Sequence, residues 1–261
     1  MNPFAADRFF DVPRTTRQTS EGPVELPIFY YDVSNVIVLF AARLAGLRAA
    51  LADTGLEPVL AGPLNGVVGL SFYEYRRTTV GVYNEVGTAI FCAPAGASRG
   101  PLAFAELLRE PGARRVGTYV VDLPVTTAAA NAAGRELWGY PKFVTPIRFC
   151  LDGCKVDTAV EDPSGAGEIC RLAGCFGRGV PAPPLSLVTY SRLEGALVRT
   201  NIDVRGRVRL RPPGSVRLRV GGSKHPMATR LRELGLADAR PFLAMTTTRF
   251  QSLLHAGVKL R

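Results

Sequence analysis

Lysine is scarce in this 261-residue chain: of its 32 basic residues only Lys142, Lys155, Lys224 and Lys259 are lysines. Histidine is scarcer still, with His225 and His255 alone, and the one tryptophan is Trp138. Two histidines and no G-x-S-x-G leave a serine hydrolase little to build on. No G-x-G-x-x-G follows a strand and there is no P-loop, which argues against a dinucleotide or ATP enzyme. The longest apolar stretch, VIVLFAARLAGLRAAL (36–51), is cut by Arg43 and Arg48 and is shorter than the ~20 residues of a membrane span. The first twenty residues, MNPFAADRFFDVPRTTRQTS, carry charge where a signal peptide has its apolar segment. A soluble cytoplasmic protein with no membrane partner is the expectation.

What is present is globular: 47% hydrophobic and 21% charged residues, with a formal charge of +10. Arginine supplies nearly all the positive charge and is spread along the chain, without a zinc-finger, RNP-like or basic-helix pattern. The sequence therefore predicts no nucleic-acid partner, and attraction of small anionic substrates is as good a use of the charge. Five cysteines, Cys92, Cys150, Cys154, Cys170 and Cys175, are an odd number and favour free thiols over a disulfide framework. Spacings of C-x3-C and C-x4-C are wider than the usual C-x2-C zinc knuckles, so no metal is expected.

No repeat, Gly/Ser linker or charge block divides the chain, which reads as one domain over 1–261 with an irregular segment at 1–23. Strand signals fall at 24–31, 65–77, 78–93, 116–126, 143–151, 153–160, 167–176, 185–191 and 195–204. Helices are predicted from about 35 to 52, capped by Ser34, and over 101–110, 127–137, 224–234 and 246–256. DVRGRVRLRPPGSVRLRV reads as a hairpin about PPGS, with Arg205, Arg207, Arg209 and Arg211 on one solvated face and Arg217 and Arg219 on the returning strand. Many strands without a βαβ rhythm predict an α+β, strand-rich fold, an antiparallel sheet or barrel with a few helices packed on it.

Lys142 stands at the helix-to-strand junction of GRELWGYPKF (134–143). An amine can lose its proton and attack a carbonyl, which a guanidinium in practice cannot. Trp138, Tyr140 and Phe143 surround it in sequence, and apolar neighbours strip water from an amine, disfavouring the ammonium form. Pro141 fixes how the chain enters the next strand. Glu85 lies in the otherwise apolar VYNEVGTAI (82–90), where alternation puts Tyr83, Glu85 and Gly87 on one face of a strand. Such a carboxylate faces either water or a polar cavity. Glu136 is expected to pair locally with Arg135 or the helix end, and each histidine to be an ordinary surface or helix-terminal residue.

The run GRELWGYPK resembles the active-site segment of the acetoacetate decarboxylase family, in which the lysine after YP forms a Schiff base. VYNEVG resembles that family's upstream strand, which brings a tyrosine and a glutamate two apart into the pocket, and the likeness runs from about residue 25 to the end. The resemblance implies a cone-like antiparallel β-barrel with flanking helices, homo-oligomers, and no metal or organic cofactor. It implies Lys142 as nucleophile, Glu85 orienting the substrate or relaying protons, and Tyr83 as hydrogen-bonding helper; Trp138, Tyr140 and Phe143, the lysine's neighbours in sequence, are expected at the substrate. A 3-oxo acid of the acetoacetate type would lose carbon dioxide through a Lys142 iminium. Phe143 stands where the family pattern has a second lysine, and GPVELP lacks the arginine that the pattern places there. Aldolase–dehydratase-like chemistry on 2-oxo acids is therefore a second reading, and a non-catalytic small-molecule-binding barrel a third.

Overall fold

The apolar stretch at 36–51 is a strand for half its length. In the computed structural model, which describes residues 7–97 and 100–260, β1 spans Ile28–Arg43 and only then passes into α1, Leu44–Ala50. The helix predicted from 35 is thus corrected, and Ser34 caps nothing; its hydroxyl accepts from Arg76. Both faces of β1 are buried over most of its length, so its stretch 36–42 is apolar on both sides and shows none of the alternation that marks a half-exposed strand. Its β-branched residues Val33, Val36, Ile37 and Val38 suit the pleated conformation.

Seven strands close into a barrel. After β1 come β2 (Asn65–Thr78), β3 (Tyr83–Pro94), β4 (Gly117–Asp122), β5 (Leu187–Leu193), β6 (Ala196–Gly206) and β7 (Leu243–Leu254). Neighbours pair in that order, β7 returns to both β6 and β1, and only the β4–β5 contact is parallel. β7 lies where a helix is predicted over 246–256. The ladder partners on either side of it, β1 and β6, decide its conformation over local apolar spacing. Register shifts opposite Asp32 change which side chains of β1 face inward. Ile28 and Tyr30 line the lumen before the shift, and Asn35, Ile37 and Leu39 after it.

The opposite face of β1 and β2, with Val36, Val38, Phe40, Leu70 and Phe72, packs into the main core. Its other wall is a second sheet built on Lys155–Glu161, Glu168–Cys175 and Arg217–Val220, with the helix α3 (Pro226–Glu233) burying Met227, Ala228 and Leu231 in the same core. His225 caps α3 through its ring nitrogen, which accepts from the Met227 amide at 3.2 Å.

The hairpin expected about PPGS does not form. Val208–Arg211 pairs with β7 and Val180–Ala182, while Arg217–Val220 pairs with the second sheet. Pro212 and Pro213 donate no backbone hydrogen bond, and Gly214, at φ 58°, turns the chain against the Cys175 carbonyl, where a Cβ would clash. Three of its arginines are tied down, Arg205 to Asp7 and Gln251, Arg209 to the Gly179 carbonyl and Arg211 to Thr246, while Arg207, Arg217 and Arg219 are exposed. Cys154 and Cys175 are joined in a disulfide, contrary to the expectation of free thiols. Pairing of Lys155 with Cys175 across two strands brings the Cα atoms of Cys154 and Cys175 to 5.1 Å. Cys92, Cys150 and Cys170 are free. Within the segment expected to be irregular, Thr15–Thr19 and Gly22–Leu26 form a hairpin, and 101–108 is a 3-10 helix where an α-helix is expected.

Candidate active site

Helix α2 (Ala128–Trp138) presents the lysine. Thr127 caps its first turn by accepting from the Ala130 amide, and Gly139, left-handed at φ 67°, ends it. A Cβ on Gly139 would overlap the Arg192 carbonyl, so glycine is required both by conformation and by the close approach of β5. Tyr140, Pro141 and Lys142 then make a tight turn, the Lys142 amide donating to the Tyr140 carbonyl at 2.7 Å. The extended chain beyond docks on the segment following β4: the Leu123 amide donates to Pro141 and the Val125 amide to Phe143, while the Thr145 amide donates back to Val125. Glu85 bridges to Val125 on its other side. Backbone pairing thus places Lys142 one strand away from Glu85.

Lys142 Nζ lies 2.5 Å from Glu85 Oε2, and both side chains are buried, at 6% and 9% exposure. The second carboxylate oxygen accepts from the Tyr75 hydroxyl at 3.2 Å. Nζ also lies 5.7 Å from the centre of the Tyr83 ring, within cation–π range. The lysine stem runs over Gly134 of α2. Around the pair is a cavity of about 110 Å³ at one end of the barrel lumen.

Of the residues expected at the site, Lys142, Glu85, Tyr83, Trp138 and Tyr140 all line this cavity. Phe143 does not. In an extended chain successive side chains point to opposite sides, and Phe143 packs into the main core with its ring 4.4 Å from that of His225. Glu136 accepts from the Ser20 amide and hydroxyl in the N-terminal hairpin, and not from Arg135, which donates to the Lys142 carbonyl at 3.0 Å. Tyr30, Tyr73 and Tyr75 also line the cavity and escaped sequence reasoning. The signal available was alternation: Tyr73 and Tyr75 share one face of SFYEYRR, and register sets them opposite Glu85 and Tyr83.

The five tyrosines are neutral hydrogen-bonding groups. Burial, with the Glu85 charge adding to it, pushes Tyr73 and Tyr140 up to about 12. Burial likewise raises Tyr30, Tyr75 and Tyr83 above the ordinary phenol value, with the Glu85 charge adding to each. Tyr30 and Tyr83 share a hydrogen bond of 3.2 Å, and Tyr140 pairs with Thr189 at 2.7 Å. Lys142 is the sole cation among the cavity's lining residues. Among the described residues no group of three or more His, Cys, Asp and Glu side chains is placed to hold a metal. No helix among them is long and apolar enough to cross a membrane.

An acetoacetate decarboxylase structure superposes with a TM-score of 0.67 at 17% identity, covering 90% of this chain and 89% of that one. Acetoacetate decarboxylase from Legionella pneumophila gives 0.64 at 15% identity, covering 98% and 94%. The enduracididine biosynthesis enzyme MppR in complex with pyruvate gives 0.63 at 15%, covering 91% and 92%. These likenesses establish the shared barrel fold. No similar sequence is found among curated proteins. The model of the acetoacetate decarboxylase family matches residues 11–208, a span that holds β1 to β6, Glu85 and Lys142. On that match the chain belongs to the acetoacetate decarboxylase family.

Proposed function

We propose that the chain is a Schiff-base enzyme whose nucleophile is Lys142 and whose reaction is decarboxylation of a 3-oxo acid. The observation that carries this reading is the buried Lys142–Glu85 contact at 2.5 Å. A proton passed from ammonium to carboxylate leaves a neutral amine beside a neutral acid, in a site where separated charges are poorly solvated. The amine attacks the ketone carbon, and protonated Glu85 returns its proton to the departing hydroxyl, so water leaves and an iminium forms. The iminium nitrogen takes up the electron pair freed when the C–C bond to the carboxylate breaks and carbon dioxide departs. Protonation of the enamine carbon and hydrolysis release a ketone and restore Lys142. The iminium is the electron sink, so the scheme calls on no metal or organic cofactor.

The cavity's charge supports this assignment. Apart from Lys142 its polar lining is neutral hydroxyls and Glu85, so no second cation stabilises a substrate carboxylate, and loss of carbon dioxide removes that charge. The likeness to MppR bound to pyruvate favours one alternative, 2-oxo-acid chemistry through the same lysine. Borohydride trapping with 3-oxo and 2-oxo acids, read by peptide mass spectrometry with carbon dioxide release, separates the two. A reduced adduct on Lys142 with gas from a 3-oxo acid supports decarboxylation; an adduct without gas supports the 2-oxo-acid reading. Absence of any adduct would sink the Schiff-base assignment.

A further inference from the structure

The barrel lumen is larger than the catalytic cavity. A second chamber of about 550 Å³ fills its other half, walled by residues such as Ile37, Leu39, Phe91, Val204, Leu243 and Met245. Ser71, Ala89, Thr118, Leu187 and Phe250 line both spaces, so the two share one waist. The cause is legible in the β2–β3 ladder. From the lysine end its inward pairs run Tyr75–Tyr83, Tyr73–Glu85, Ser71–Gly87 and Gly69–Ala89. Bulk and polarity give way to small side chains at the waist, and the wall becomes apolar beyond it. The chamber's one charged lining residue, Arg114, donates to the Arg109 and Ser186 carbonyls.

The volumes decide what this space is for. The 110 Å³ around Lys142 is about a fifth of the 550 Å³ beyond the waist, room for an oxo-acid head beside the amine. Small-molecule sites usually run to ~300–1,000 Å³ and are mostly apolar, a size that the chamber reaches and the catalytic cavity does not. We infer that the substrate is a 3-oxo acid bearing an extended apolar substituent on the ketone carbon, aliphatic or aryl, which passes the small-residue waist and lies in the chamber. This rests on the Schiff-base reading above and adds the substrate class.

The test has two arms. Binding of alkan-2-ones, the products expected of such acids, is followed through the fluorescence of Trp138, the single tryptophan and a wall of the catalytic cavity. This readout needs no turnover. Affinity should rise by up to about fourfold per methylene, the value for burying a CH2 group, from propan-2-one to at least nonan-2-one. In the second arm kcat/KM for carbon dioxide release is compared for acetoacetate and 3-oxo acids of increasing chain length. The long-to-short ratio should exceed about 100-fold and should fall at least tenfold in Met245→Trp, which fills the chamber, and in Ala89→Leu, which narrows the waist. A flat series in both arms, with acetoacetate still trapped on Lys142, would overturn the inference and leave the Schiff-base reading intact. Chain-dependent ketone binding with no trapped adduct would instead overturn the chemistry while keeping the apolar ligand class.

Discussion

Gly134 and Lys142 are packed so closely that a methyl group on the first would occupy the space of the second's Cδ and Cε. The glycine, in the middle of α2, is a channel for the lysine stem and fixes where Nζ arrives. Alanine is intrinsically the better helix former by about 1 kcal/mol, so Gly134→Ala should not unfold the helix. It should displace the amine, and a misplacement near 1 Å costs on the order of 100-fold in rate. The expected result is a Tm within a few degrees of the parent and a fall of about 100-fold in turnover and in the rate of borohydride trapping. Unchanged turnover would show that the lysine is not positioned by this contact.

In the proposed reaction Glu85 takes up the lysine's proton, and Glu85→Gln keeps the shape of the site while removing that acceptor. Turnover should drop by on the order of 10²–10⁴-fold, the usual contribution of a positioned acid–base group. Tyr75→Phe removes only the 3.2 Å hydrogen bond to the same carboxylate and should cost about tenfold, as expected for a bond to a charged group. The check is steady-state kinetics of both variants; equal losses would contradict the separate roles.

Two buried aspartates set opposing pH limbs of stability. Hydrogen bonds from the Ser164 and Ser223 hydroxyls and the Ser164 amide hold Asp162 down at about 2. Its contribution is present above the unfolded value near 4 and is lost as pH falls toward 2. Burial pushes Asp122 up to about 6 against the pull of Arg230. Its contribution is complete below pH 4 and is lost as pH rises through 6. Tm should therefore rise from pH 2 to 4 and decline from 4 to 6 on these two groups' account. Asp162→Asn should flatten the first limb and Asp122→Asn the second, measured by thermal melts across the range.

The Cys154–Cys175 bond spans 21 positions, a loop whose closure is worth about 3 kcal/mol in the chain-entropy picture. Reduction, or Cys154→Ser, should lower Tm by several degrees. It lies in the second sheet, away from the lumen, so trapping on Lys142 should persist at the parent's rate. Loss of trapping on reduction would place the second sheet in control of the site.

Local signals were readable from the sequence and cross-strand relations were not. Lys142 is singled out because its turn, its proline and the glycine ending α2 are contiguous in a run that resembles the family's active-site segment; alternation puts Glu85 and Tyr83 on one face of their strand, and only the resemblance turns that face to the pocket. Tyr73 and Tyr75 alternate as clearly, but only the register of β2 on β3 says that their face is the one holding Glu85. Phe143 misled through proximity: one residue along an extended chain is the opposite wall. β1 was hidden because burial on both faces erases the period of two, and β7 because TTTRFQSLL takes its conformation from the strands flanking it.

The barrel's parallel seam has a consequence for how the enzyme comes to exist. β4 and β5 lie side by side, yet residues 123–186 separate them in sequence, and that excursion contains α2, Lys142 and most of the second sheet. The seam cannot zip from a local turn, as the β2–β3 hairpin can. It must wait for a long loop to close, a slow step set by topology. Lys142 is carried in that loop, held on one side by β4's continuation and on the other by Gly139 against β5. Closing the wall and delivering the amine are therefore a single late event. A nascent chain ending before residue 187 holds the lysine and the glutamate but has no sealed vessel in which they can meet.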